Sequence, residues 1–276
     1  MLKNITVATK ENINYYEIMK ESCKRNNIEL VVLGLGQKWT GFSMKFELWL
    51  EYLNTLPDNE IVMINDDYDV IMLEDSNTIK NKFKQFNKHV VFSVQKGMLI
   101  NLSFPRCRDD VICVGNIIGY VKYIKKIIEL IVKHKNLWKK YDNDDQIIFN
   151  NICKIEPYLK NNIGLDKNQD IFFVTSADDL FNINYLLSGQ INNLFMENGK
   201  LLNKNKTSIS VIHLAANVNF NKYLNYLNYN YNSVNHIRSY KYIQVFNLFK
   251  QIIKRYWLYI LLIIIIIILL KNKLLK

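Results

Sequence analysis

Ile61-Val62-Met63-Ile64-Asn65-Asp66-Asp67-Tyr68-Asp69-Val70 is the stretch that decides the fold. A short apolar run of this kind reads as a buried strand. It stops at three carboxylates within four positions, Asp66, Asp67 and Asp69. Carboxylates packed so closely repel one another and stay ionised only when solvent, basic side chains or a cation compensates them. Oxygen donors suit Mg or Mn, which keep open positions for water or substrate phosphates. An acidic turn between two elements is the plain alternative. Position argues against it, because ligands of open α/β sheets bind beyond the carboxyl ends of the strands, where this run delivers Asp66 and Asp69.

Outward from that strand, apolar runs alternate with longer helical patterns, as in a mainly parallel sheet covered by helices. Strands are expected at Ile5–Thr9, Leu30–Leu33, Ile61–Ile64, His89–Val94 and Val111–Ile118. Helices are expected at Tyr16–Arg25, Met44–Leu53, Thr78–Phe86 and Val121–Lys133. Further on, Asn198-Gly199 between apolar flanks signals a hairpin, and Ser208–Ile212 reads as a strand whose end carries His213. The Asn- and Tyr-rich stretch from about Asn217 to Asn235 is taken as the edge of the domain.

With 276 residues and 49% hydrophobic content the chain can bury a substantial core. Its net charge of +11 suggests nucleic acid until its distribution is read. After Glu197 there is no acidic residue, so the 12 Lys and Arg of that part account for the excess and the first 197 residues are nearly neutral. No nucleic-acid partner is therefore expected. The basic part flanks a uniformly apolar run, Tyr256 to Leu270, with Lys254-Arg255 before it and Lys271, Lys273 and Lys276 after it. At 15 residues it falls short of the roughly 17 to 25 that usually span a bilayer, a gap that snorkelling lysines can close. A C-terminal membrane anchor is expected over residues 254–276. Before it, Tyr242, Val245, Phe246, Phe249, Ile252 and Ile253 recur at helical spacing among lysines, as in a basic amphipathic juxtamembrane segment over 236–253. Residues 1–235 form the globular domain. Its first residues read as a strand, so no secretory signal is expected. Both flanks of the anchor are basic, which leaves orientation open. Cys23, Cys107, Cys113 and Cys153 lack metal-type spacing and are expected as reduced, buried thiols, in keeping with a domain exposed to cytosol.

His213, at a strand end, is the candidate third ligand beside Asp66 and Asp69, although a lone His is more often structural. The second acidic cluster, Asp142-Asn143-Asp144-Asp145-Gln146, precedes an apolar run. A helix cap explains one of its carboxylates, and the surplus suits a hydroxyl-activating or sugar-binding role. Gly34-Leu35-Gly36 is too short for a dinucleotide fingerprint. Lys45 could reach a diphosphate, and Trp39 could pack on its loop or stack on a base.

Ile5-Thr6-Val7-Ala8-Thr9-Lys10, Leu33-Gly34-x-Gly36-x-x-Trp39, Lys45, Asp66-x-Tyr68-Asp69-Val70-Ile71, Gly115-x-x-Ile118-Gly119-Tyr120, Asn143-Asp144-Asp145-Gln146 and Val211-Ile212-His213 occur in one order. In that order they resemble the glycosyltransferase domain of the procollagen lysyl hydroxylases (PLOD) and related collagen glycosyltransferases, over roughly residues 3 to 220. The resemblance implies a GT-A fold, Rossmann-like and nucleotide-sugar-binding, with a mixed, mainly parallel sheet. It implies a Mn2+ ion, with Mg2+ as the alternative, bridging the protein and the diphosphate of a UDP-sugar. By resemblance Asp66, Asp69 and His213 are the metal ligands. Val7, Thr9, Trp39, Lys45 and Tyr68 fall at the donor site, and Asp144 and Asp145 are the acidic pair beside the transferred sugar and acceptor.

The implied reaction moves a hexose, galactose or glucose, to a hydroxyl acceptor, which in that family is hydroxylysine or galactosylhydroxylysine. Ala216-Asn217-Val218-Asn219 stands where the family has Gly-Pro-Thr-Lys, and Lys222 is the nearest lysine that could meet phosphate. Cys113-Val114-Gly115-Asn116 replaces Asn-Ser-Gly-Gly, and no Trp-Pro element stands near Phe104-Pro105. No dioxygenase segment follows, so lysyl hydroxylation is not expected. A catalytically degenerate, membrane-bound scaffold and a metal-dependent phosphohydrolase remain as alternatives. The sequence does not fix the oligomeric state.

Overall fold

Val62, Met63 and Ile64 are fully buried, and the strand they form is the third in the chain and sits near the middle of the main sheet. The computed structural model describes residues 1–11, 15–229 and 237–274. Its strands are β1 (Leu2–Val7), β2 (Ile28–Leu33), β3 (Ile61–Asn65), β4 (Val70–Met72), β5 (Val90–Gln95), β6 (Val111–Tyr120), β7 (Gly164–Asp166), β8 (Phe172–Val174), β9 (Phe195–Glu197), β10 (Lys200–Leu202) and β11 (Val211–His213). Its helices are α1 (Tyr16–Arg25), α2 (Met44–Leu53), α3 (Ser76–Gln85), α4 (Met98–Ser103), α5 (Val121–Lys133), α6 (Asp145–Ile155), α7 (Pro157–Asn162), α8 (Ile183–Ser188), α9 (Asn221–Tyr226) and α10 (Ile237–Leu274).

The main sheet has the order β2-β1-β3-β6-β5-β7. β6 runs antiparallel to both its neighbours and the other pairings are parallel. This is the mixed, mainly parallel α/β arrangement expected from the sequence. One face is covered by α2, α5 and α6, where Ile124, Ile127, Ile128 and Ile131 recur at i, i+3, i+4 and i+7 and pack with Phe46, Trp49 and Phe149 on the sheet. α1 and α3 supply Met19, Cys23, Ile79 and Phe83 to the other face, together with Val70, Met72, Phe172 and Val211 of a second sheet, β4-β11-β8. The far side of that small sheet has its own core of Ile71, Phe173 and Ile212 under the β9–β10 hairpin and α9.

Val218, Phe220, Tyr223, Leu224 and Tyr229 are buried in this last core. The packed domain therefore includes the stretch taken from sequence as its edge, and the final part of that stretch, 230–236, lies outside the described residues. The thiol expectation needs correction for two cysteines. Cys107 and Cys153 are joined in a disulfide with a Cα–Cα distance of 5.5 Å, because Asn150 on α6 binds the Cys107 and Ile112 backbone and draws the loop before β6 onto the helix. Cys23 and Cys113 are free and buried.

Among the described residues no single helix is long and apolar enough to cross a membrane. Two segments of α10, Phe246–Tyr259 and Leu261–Ile268, meet at a 54° bend and pass that test together, by length and composition alone. The flanking Lys276 lies outside the described residues.

Candidate active site

The metal candidates converge because the chain changes sheets between them. β3 ends at Asn65, and the Asp66 amide donates to the Gly115 carbonyl at 2.9 Å, which closes the large sheet. Four residues after Asp66 the chain enters β4, where Val70 lies opposite His213 of antiparallel β11. The Leu214 amide donates to the Asp69 carbonyl at 2.7 Å. A strand-end imidazole is thus set beside a loop carboxylate, with His213 Nε2 3.3 Å from Asp69 Oδ1 and 3.5 Å from Asp66 Oδ2. One ligand atom from each of the three residues lies within 4.8 Å of the others.

β6 makes room for them. Its pairing with β5 skips from Ile117 opposite Phe92 to Cys113 opposite Ser93, so Val114, Gly115 and Asn116 bulge out of the ladder. A Cβ on Gly115 would stand 2.2 Å from Asp66 Oδ2 and 2.8 Å from His213 Cε1. Only glycine leaves that space free. Asn116 meets the other imidazole nitrogen, with its Nδ2 2.8 Å from Nδ1, while its buried Oδ1 has no partner. Turning that amide over lets Oδ1 accept from Nδ1–H, which leaves Nε2, on the side of the two aspartates, as the nitrogen that a cation would take in exchange for its proton. Two carboxylates, an imidazole and a glycine-lined gap fit a divalent ion such as Mn2+ or Mg2+.

Charge is balanced locally. Lys45 on α2 is only 3% exposed and bridges Asp66 Oδ1 at 2.7 Å and Asp145 Oδ2 at 2.5 Å. Burial opposes its charge, but Asp145 and Asp66 hold its pKa above the usual lysine value. Burial would raise Asp66, yet Lys45 and then His213 hold it below the ordinary carboxylate range. Burial would likewise discharge His213, whereas Asp69 keeps its pKa well above that of a free imidazole. Asp67 has no ion-pair partner among the described residues. Burial, then Asp66 and Asp69, push it to about 8, and its buried Oδ2 makes no hydrogen bond. The third carboxylate of the opening motif is therefore held well above the ordinary carboxylate range.

Across the cleft, Asp142 and Asn143 both adopt left-handed backbone, and the turn they make sets Asp144 as the N-cap of α6, where it accepts from the Ile147 amide at 2.8 Å. Burial and Asp145 raise the Asp144 pKa to about 7. The cleft between these groups has a volume of about 600 Å³, and its lining includes Asp66, Asp69, His213, Asp144 and Asp145, a size suited to a small-molecule ligand.

The remaining sequence candidates are less central. Val7 is buried at the end of β1, and the neighbouring Thr9 carbonyl accepts from the Gly36 amide at 3.1 Å, so the Gly34–Gly36 pair forms a positive-φ turn against β1. Tyr68 is tied to the Lys10 backbone, its hydroxyl donating to the carbonyl at 2.9 Å. Trp39 is 41% exposed and packs edge-on against Phe42, which lines the cleft. Lys222 is directed elsewhere, donating to the Ser188 carbonyl and Gln190 Oε1, each at 3.3 Å. It is not the cleft's phosphate-facing lysine. Sequence reasoning passed over Gly115 and Asn116 as site residues, although a glycine inside a strand pattern is itself a sign of a bulge or close approach.

The family model for the PLOD GT domain matches residues 1–239. The chain belongs to the PLOD GT domain family. Within it, the chain is 29% identical over 235 residues to procollagen-lysine,2-oxoglutarate 5-dioxygenase 2 of Homo sapiens, covering 78% of this chain and 29% of that protein. It is 27% identical over 186 residues to procollagen-lysine,2-oxoglutarate 5-dioxygenase 1 of Gallus gallus, covering 61% and 24%. A multifunctional procollagen lysine hydroxylase and glycosyltransferase of Caenorhabditis elegans is 29% identical over 188 residues, covering 61% and 25%. The chain thus spans less than a third of the length of these relatives. Solved structures similar to this PLOD GT domain include the galactosyltransferase LgtC in complex with donor and acceptor sugar analogues, at 11% identity and a TM-score of 0.45 over 78% of this chain and 87% of that one. Another is a glycosyltransferase involved in glycosylation of the major capsid of PBCV-1, at 12% identity and a TM-score of 0.47 over 78% and 93%.

Proposed function

We propose that this PLOD GT domain transfers a hexose, galactose or glucose, from a UDP-sugar to a hydroxyl acceptor. The observation that carries this reading is the convergence of Asp66, Asp69 and His213 from two sheets onto one side of a cleft whose other side presents Asp144. Lys45 fixes Asp66 and Asp145 in place and holds Asp66 ionised. Asp144, with its pKa near neutrality, accepts the proton that the acceptor hydroxyl loses as it attacks the sugar carbon. A Mn2+ or Mg2+ ion held by Asp66, Asp69 and His213 would supply Lewis-acid neutralisation of the leaving diphosphate.

The test is turnover of UDP-galactose and UDP-glucose with hydroxylysine and galactosylhydroxylysine peptides, with and without Mn2+. Asp69→Asn is expected to lose metal-dependent turnover with its circular dichroism unchanged. A fully active variant would rule the site out.

The exposed apolar residues of α10, Leu258 and Leu261–Ile268, support a C-terminal membrane attachment. The Cys107–Cys153 bond supports an oxidising compartment in place of the cytosol.

A further inference from the structure

The cleft has a wall that the family match does not reach. That match ends at residue 239, yet Asn247, Leu248, Lys250, Gln251 and Lys254 of α10 line the same cavity as Asp66, Asp69 and His213. They fall at i, i+1, i+3, i+4 and i+7, a single stripe of the helix. The apolar stripe points the other way, with Phe246 69%, Phe249 48%, Ile253 57% and Trp257 54% exposed. Leu248, Ile252 and Tyr256, at i, i+4 and i+8, are the half-buried apolar residues of this part of the helix. Polar contacts add to the docking. Lys254 pairs with Asp142 at 2.7 Å, and Arg255 donates to the Leu102 and Phe104 carbonyls at 3.4 and 2.5 Å.

Two groups on the inward stripe are left over from docking. Lys250 has no ion-pair partner among the described residues, although the cavity it lines holds Asp66, Asp69, Asp142, Asp144 and Asp145. Gln251 Oε1 is buried with no hydrogen-bond partner, a condition that costs stability unless a ligand satisfies it. An uncommitted ammonium beside an uncommitted amide oxygen suits a ligand carrying both phosphate and hydroxyl groups.

We propose that Lys250 and Gln251 bind the sugar–phosphate portion of the nucleotide-sugar donor, which makes the C-terminal helix part of the active site. Lys250 pairs with a phosphate oxygen and Gln251 Oε1 accepts from a sugar hydroxyl. The inference rests on the donor reading above.

The test uses the full chain carrying Lys250→Met, Lys250→Arg or Gln251→Ala, with donor and acceptor varied separately and UDP binding in Mn2+ followed by calorimetry. Lys250→Met is expected to raise the donor KM and weaken UDP about tenfold, as loss of one charge-assisted hydrogen bond would. Acceptor KM should not move, and Lys250→Arg should recover most of the loss. Gln251→Ala should raise the donor KM and leave UDP affinity nearly unchanged, because UDP lacks the sugar. Unaltered donor KM in the methionine variant, or a change confined to acceptor KM, overturns the assignment of α10. Absence of UDP binding and donor turnover in the wild-type chain would instead overturn the donor reading itself, so the two failures are distinguishable.

Discussion

Asp67 carries a stability cost that depends on pH. Its pKa of about 8 follows from burial and from Asp66 and Asp69 on either side, whereas an unfolded chain ionises it near about 3.9. Between those values the unfolded state binds fewer protons than the native one, so stability falls as pH rises from about 4 to about 8 and takes no contribution below that window. Asp67→Asn is expected to flatten the fall. Urea unfolding of metal-free protein at pH 5 and pH 8 measures it, and equal slopes for variant and wild type would refute the account. Gly115 makes a complementary prediction. Gly115→Ala places a methyl 2.2 Å from Asp66 Oδ2, and Mn2+ affinity measured by calorimetry should drop by more than about tenfold, the scale seen when groups that orient metal ligands are disturbed. Neither role was legible from the sequence, which set Asp66 and Asp69 apart as ligands but said nothing of what Asp67 does, and which placed Gly115 in a motif without a reason for the glycine.

At the level of elements, what could be read depended on period. The sequence placed α1, α2 and α5 at their observed limits because apolar residues such as Ile124, Ile127, Ile128 and Ile131 recur over two or three turns. The three-residue strands β4, β7 and β8 were missed, being too short for alternation to register, and β4 in particular reads as the tail of the Asp66–Asp69 loop. β6 was read two residues short at its C-terminal end, where Gly119 and Tyr120 still pair with Val62 and Ile61 of β3. The N-terminus of α6 was legible as a cap but ambiguous in purpose, and in the structure Asp144 holds the Ile147 amide while lining the cleft. Asn caps as well as Asp. Asp144→Asn should therefore leave the melting temperature within a few degrees of wild type while kcat falls by about 10²–10⁴, the usual worth of a positioned acid or base. Loss of the helix along with activity would show that the carboxylate is structural.

For the whole molecule, long-range placement separates what the sequence told from what it withheld. The ends of β3 and β11 were readable as sites bearing Asp66, Asp69 and His213, because strand ends are where such groups collect. The turning of α10's polar face onto the cleft and the pairing of Cys107 with Cys153 depend on contacts between distant segments that no local pattern records. That disulfide closes a loop with a sequence separation of 46, which in the chain-entropy model corresponds to about 4 kcal/mol. Cys107→Ser with Cys153→Ser should lower the melting temperature by roughly 2–4 °C for each kcal/mol realised, as differential scanning calorimetry would register. Finally, Asp66 follows the last residue of β3 in the large sheet, Asp69 precedes β4 of the small one and His213 ends its middle strand β11, and each sheet has a core of its own. An ion shared by these residues would act as a rivet across the seam. Amide hydrogens of β4, β8 and β11 should then exchange more slowly once Mn2+ is added, with little change at β2 on the opposite border.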